Sequence, residues 1–380
     1  PRSFLKALRD RSDLIEYRQA NLSNPIVVSK CFSDSAPNGL LYTHVLDITG
    51  ELVPNRPAEV YIQRCFRVPL LIARAAAAQR SRDPESLKAY IRFTGPFYNH
   101  PDVDKRYKES DPDGWKPRGP QAVWWHEILR TIGSIEELPL VVLRSGLVYG
   151  PGNFMFEATA LTLLGLVYKN LGRDMQLLWS PDLPKTCMNS QDIAGVVWRA
   201  AEWISTLSRK EADAIAGSPI PPSYDPSVTP ENCPDALPAS MGPVIIPTFN
   251  LADEGDATQA KLSAVISRVF GINATFLESS EGLFDGKTLG EIIEEATEVH
   301  LNAWNEIITT SNPPVPDTPL SPYMPPGLIM EHGCAMDGER IKKASDRPFR
   351  YPRFDENAIH DYVNWCREDG IWPETNLYTG

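Results

Sequence analysis

The chain predicts an α/β protein built on a mostly parallel sheet, and three stretches carry that expectation. Leu138-Pro139-Leu140-Val141-Val142-Leu143-Arg144 is a short apolar run closed by Gly146 and Gly150, the pattern of a strand buried on both faces and running into a turn. Thr248-Phe249-Asn250-Leu251-Ala252 is a second such run. It is followed over 258–271 by Leu262, Val265, Ile266 and Val269, spaced as one helical face. The third is the alanine-rich segment from Glu59 to Ala78, a good helix former suited to close packing on a sheet.

The remaining elements follow in order. Gln121 to Ile132 reads as a helix, and the apolar positions Ile359, Tyr362, Val363 and Trp365 mark a last helix. Prolines number 35 and cluster at 219–247 and 313–326. Both clusters interrupt periodic segments and read as long surface excursions. The expected division is a core over 1–180 and a mixed segment over 181–380 that returns to the core and forms a smaller substrate unit. No internal repeat or heptad pattern is present.

The net charge of −12 over 380 residues argues against nucleic acid or an anionic membrane surface as partner. No apolar run approaches the ~18 residues that span a bilayer. The six cysteines lack CxxC or other metal-ligand spacing and read as free thiols of a reducing cytoplasm, with no metal site. A small-molecule substrate is the expected partner, and a homodimer is compatible with the sequence. The sequons at Asn21 and Asn273 fall in the expected core and read as incidental.

Taken together, Arg144-Ser145-Gly146-Leu147-Val148-Tyr149-Gly150-Pro151-Gly152, the segments Ile15 to Leu22, Tyr42 to Gly50, Glu59 to Ala78 and Tyr90 to Tyr98, Cys187 to Ala194, Thr248 to Ala252 and the tail from Phe349 to Pro373 resemble the extended short-chain dehydrogenase/reductase superfamily, which includes NAD-dependent nucleotide-sugar epimerases and dehydratases. The resemblance implies a Rossmann-like, doubly wound parallel sheet with a smaller C-terminal substrate domain. It implies that Ile15–Leu22 is the family's third strand, that Tyr42–Gly50 is the fourth, and that Thr94 stands at the catalytic Ser/Thr.

Two departures outweigh the likeness. The family's catalytic Tyr and Lys stand one helical turn apart, the Lys lowering the Tyr pKa for proton transfer; the family spacing puts Gly119 and Val123 there. A shifted register gives Ala122 and His126, which supplies an imidazole but still no phenol. No glycine-rich pyrophosphate turn occurs in the chain, although the family opens with one. No nicotinamide cofactor is therefore expected for the chain as it stands, and NAD(P) only if a glycine-rich segment lies upstream.

Ligands of doubly wound sheets sit beyond the carboxyl ends of the strands. That rule selects Thr94, Pro96, Phe97, Tyr98, Asn99, His100, Ser145, Leu147, Tyr149, Asn153, Phe154 and Phe156, with Trp124, Trp125, His126 and Glu127 on the intervening helix. His126, Thr94 and Tyr98 are the expected catalytic groups, His126 first because imidazole titrates near neutrality. Phe97, Trp124, Trp125, Tyr149, Asn153, Phe154 and Phe156 are the expected substrate contacts, one tryptophan acting as a lid. Of His126 and Glu127, adjacent on a helix, one is expected to be solvated or, for Glu127, to be a structural partner of the helix that follows. Three functions compete: an NAD(P)-dependent oxidoreductase or epimerase, a redox-neutral cyclase, isomerase or dehydratase of specialised metabolism, and a non-catalytic binding protein. The loss of the Tyr and Lys opposes the first, and the aromatic residues collected where that pair would stand favour the second.

Overall fold

A computed structural model describes residues 2–36, 38–277, 287–329, 331–344 and 347–378. Among the described residues nine strands are formed: β1 (His44–Asp47), β2 (Ala89–Thr94), β3 (Leu140–Ser145), β4 (Leu147–Tyr149), β5 (Met175–Leu178), β6 (Cys187–Asn189), β7 (Gly217–Ile220), β8 (Val244–Leu251) and β9 (Ala274–Leu277). The main sheet has the order β1-β2-β3-β8-β7. Its first three pairings are parallel and β7 runs antiparallel to β8. Two small parallel pairs, β4 with β6 and β5 with β9, lie apart from it.

Side-chain alternation explains why the apolar runs are continuous. Tyr90, Leu140, Val142 and Ile246 point into one core with Leu70 and Ile128 from the helices Val68–Arg82 and Gly119–Gly133. Ala89, Ile91, Val141, Leu143 and Phe249 point into the other, with Ile193 and Val196 of the helix Ser190–Ser205. Both faces are covered, so most positions are apolar. Among the polar exceptions, buried Arg92 meets Asp47 of the neighbouring strand at 2.9 Å, and Tyr90 donates to the same carboxylate at 2.7 Å. Arg144 donates to Asn250 Oδ1 and the Gly114 carbonyl and lies over Trp115.

A third core joins the helices Phe156–Leu171, Gln259–Phe270, Leu289–Thr310 and Glu356–Glu368. The Asp192 carboxylate fixes the tail by accepting from the backbone N–H groups of Arg350 and Tyr351. Asn189 caps the helix it precedes, its Oδ1 accepting from Gln191 N at 2.9 Å. A Cβ on Gly150, whose φ is +99°, would fall 2.6 Å from the Asn189 side chain, so the turn after β4 requires glycine.

Two expectations are corrected. Ile15 to Leu22 forms no strand, and Leu14, Ile15 and Tyr17 are exposed; the segment has apolar residues but no neighbour with which to pair. β1 is accordingly the edge of the sheet. The stretch 219–247 packs against the core along part of its length and is not wholly a surface excursion. It contributes β7 and lies along the helix Gly119–Gly133, where the Pro221 carbonyl meets His126 Nε2 at 2.7 Å and Ser223 N donates to Glu127 Oε1 at 2.8 Å. Arg130 donates to the carbonyls of Leu237, Pro238 and Gly242. The second proline stretch is also integrated, Leu320 being buried and its carbonyl accepting from Trp304 Nε1.

Candidate functional site

A cavity of about 160 Å³ opens beyond the carboxyl ends of β2 and β3. The loop after β2 supplies Gly95, Pro96 and Phe97, the loop after β3 supplies Ser145 to Val148, and the start of the helix Phe156–Leu171 supplies Phe156, Glu157 and Ala158. Gly146 lets the strands' ends approach: a Cβ there would meet the Thr186 carbonyl at 2.2 Å. Phe93, Phe97, Leu147 and Phe156 make much of the wall apolar, and Arg118, Gln121 and His332 complete it.

The polar members are held from several elements. Arg118 precedes the helix Gly119–Gly133, and its backbone N–H donates to the Phe97 carbonyl at 2.9 Å. Its Nη1 is buried with no hydrogen-bond partner among the described residues, a costly arrangement for a guanidinium. Burial pulls the Arg118 pKa below its ordinary value, opposed by Cys334 and Glu157. Glu157 Oε1 accepts from Lys185 Nζ at 2.7 Å, and Oε2 lies 3.9 Å from His332 Nε2. Burial works to raise the Glu157 pKa, but Lys185, His332 and Arg118 together hold it below the usual carboxylate value. Glu157 is therefore ionised at neutral pH, in the first turn of a helix where the macrodipole also favours a carboxylate.

The residues selected from sequence divide into three groups. Phe97 and Phe156 line the cavity, as do Pro96, Ser145 and Leu147. Trp125 stands behind Phe97, the rings stacked at 4.9 Å, and donates from Nε1 to the Glu51 carbonyl. The others lie elsewhere. Thr94 and Tyr98 are buried with their hydroxyls unpartnered; Tyr98 packs edge-on against Trp115 and His126, and burial raises its pKa far above the ordinary phenol value. His126 is fully buried, with burial lowering its pKa. Trp124 packs edge-on against Phe66 in the sheet–helix core. Tyr149 packs on Phe354 and Phe154 on Trp365 of the C-terminal helix, while Asn153 Nδ2 donates to the Val148 carbonyl.

These placements correct the expected site. His126 and Glu127 are both buried because the stretch 219–247 covers the outer side of their helix, and Glu127 pairs with Arg130 at 2.6 Å. Neither tryptophan is a lid, since the two pack on different neighbours within one core. His126, Thr94 and Tyr98 pack between strand and helix, apart from the cavity lining. Arg118, Glu157 and His332 of the cavity wall, and Lys185 that pairs with Glu157, were not singled out from sequence. Glu157 directly follows Phe156, and Arg118 directly precedes the vacant tyrosine position; adjacency to those two sites is the signal that could have found them.

No family model matches the chain, and no curated protein does. Solved structures do. The chain is similar to a dTDP-glucose 4,6-dehydratase from Streptomyces venezuelae solved with NAD bound, at 11% identity and a TM-score of 0.57, with 98% of this chain and 85% of that one covered. It is similar to the UDP-glucose 4-epimerase of Thermotoga maritima solved with UDP-glucose, at 11% identity and a TM-score of 0.54, covering 93% and 84%. A dTDP-glucose 4,6-dehydratase from Bacillus anthracis in complex with NAD gives 10% identity and a TM-score of 0.52, covering 96% and 86%. The chain therefore has the Rossmann-like fold of the extended short-chain dehydrogenase/reductase enzymes that its sequence resembles.

Proposed function

We propose that the protein is an enzyme on this scaffold that carries out a redox-neutral reaction, an isomerisation, cyclisation or dehydration, on a largely apolar small molecule in the strand-end cavity. One observation carries this reading: an ionised, largely buried Glu157 faces an apolar cavity that also receives the guanidinium of Arg118. A carboxylate held by Lys185 in a dry wall is placed to take a proton from carbon. Arg118, with an unused donor, is placed to hydrogen-bond the carbonyl oxygen on which negative charge then develops. Protonated Glu157 returns the proton to another carbon, which gives an isomer, or to a departing hydroxyl, which releases water. His332 and Lys185 keep the carboxylate in position.

Nicotinamide chemistry is not supported by the residues at hand. Val123, at the position of the ribose-binding lysine, is buried in the core, and Gly119 opens its helix without a side chain. Among the described residues β1 is the edge of the sheet, with no glycine-turn strand beside it. These residues do not fit the cofactor, and no step is routed through it. The NAD-bound dehydratases of the same fold support a second reading, an NAD(P)-dependent oxidoreductase or epimerase.

The two are separated by incubating a metabolite extract with the wild type and Glu157→Gln, then following mass changes with and without added NAD(P). The proposal expects a product of unchanged mass, or smaller by one water, formed without added cofactor and missing with the variant. A product differing by two hydrogens and formed only with NAD(P), or micromolar NADH or NADPH affinity in calorimetry, overturns it.

A further inference from the structure

The helix Phe156–Leu171 joins the strand-end cavity to a second one. Glu157, Leu161, Leu164 and Tyr168 fall on one face of this helix, at the i, i+4, i+7, i+11 spacing. Glu157 lines both cavities, and the other three line only the second, which encloses about 200 Å³. From Glu157 to Tyr168 the face runs about 16 Å at the helical rise of ~1.5 Å per residue. The opposite wall is Ile292, Ile293 and Ala296 of the helix Leu289–Thr310.

Its charges cancel. Glu157 and Lys185 are the charged residues of the lining, and they meet at 2.7 Å. Two further polar contacts are made in the lining: Tyr168 Oη and His300 Nε2 are 3.0 Å apart, and Trp179 Nε1 donates to the Ile329 carbonyl. Trp179 holds a φ of +74°, a strained conformation for a bulky residue that the surroundings must impose, and its indole forms part of the wall. A nucleotide diphosphate needs several charge-assisted donors, and this lining offers none that is unpaired. A hydrocarbon chain needs only apolar walls, and gains roughly 0.8 kcal/mol per methylene removed from water.

We infer that the second cavity holds the aliphatic chain, acyl or prenyl, of the substrate whose polar end reacts beside Glu157 and Arg118. This assignment rests on the reading of the strand-end cavity as the reacting site.

The test is a calorimetric titration of the full chain with decan-1-ol, which requires no turnover. The expected result is one saturable site, weakened about tenfold or more by Ala296→Trp or Thr297→Trp, two cavity-wall changes on the rim of a helix, and left unchanged by Phe97→Ala. Circular dichroism identifies the folded variants, and either suffices. Absence of saturable binding to the wild type, or equal binding by a folded tryptophan variant, overturns the inference. The two proposals fail separately: Glu157→Gln that keeps its turnover removes the catalytic reading, whatever decan-1-ol does.

Discussion

Replacing Lys185 by methionine removes the ammonium from a carboxylate that cannot leave its place. The Lys185 side chain is 4% exposed and that of Glu157 is 19% exposed, with 2.7 Å between them. Deleting one partner of a buried ion pair costs about 3–5 kcal/mol, because the other charge stays desolvated. Since Glu157 retains some contact with water, the expected loss sits at the lower end, about 3 kcal/mol near neutral pH. The sign of the pH dependence follows from linkage. In the wild type the Glu157 pKa lies below its unfolded value, so the pair's contribution is complete above the ordinary carboxylate range and fades as pH falls through the lowered value. In Lys185→Met burial acts with less opposition and the Glu157 pKa rises. The penalty is then largest above neutrality and shrinks on acidification, as the carboxyl takes up a proton. Urea unfolding followed by tryptophan fluorescence, at about pH 7.5 and about pH 5, reads both numbers. The double variant Lys185→Met with Glu157→Gln should recover most of the loss, since no buried charge remains. A loss below about 1 kcal/mol at both pH values, or one that grows on acidification, would refute the reasoning.

Further outcomes follow from the same structure. His126→Ala should keep turnover per folded molecule and lose about 1–3 kcal/mol of stability, because the Pro221 carbonyl loses its partner; lost turnover in a variant of wild-type stability would return His126 to the chemistry. Thr94→Val should be nearly neutral or stabilising in thermal unfolding, since the Thr94 hydroxyl is buried and unpartnered. A drop of several degrees would show that it has an unseen partner. Gly150→Ala should cost about 1–3 kcal/mol in urea unfolding through its positive φ and the nearby Asn189 side chain. Wild-type stability there would mean that the turn can rearrange.

The sheet was legible in the sequence wherever a strand is buried on both faces. The runs at β3 and β8 admit no polar residue without a partner, so composition alone marks them. Ile15 to Leu22, expected as a strand from the family resemblance, pairs with nothing among the described residues, because pairing depends on a neighbour far away in the chain. The site was legible only as a location. The strand-end rule found Phe97, Phe156 and Leu147, which lie on the loops it names. It could not find Glu157 with Lys185 and His332, because three distant segments must meet before their charges act on one another. His126 was misjudged for the same reason: nothing local shows that the stretch 219–247 will shelter the outer side of its helix and leave the imidazole facing a carbonyl.

The exposed edge of the sheet bears on how the protein behaves at high concentration. β1 pairs with β2 on one side alone, and Leu46 and Ile48 at that edge are 50% and 74% exposed. Open backbone donors and acceptors flanked by aliphatic side chains form a template on which extended peptide can add. Association of that kind is a contact between molecules, which substitutions in the core do not address. A lysine in place of Leu46, on the strand itself, would set charge against charge in any edge-to-edge approach while leaving the strand-end cavity as it is.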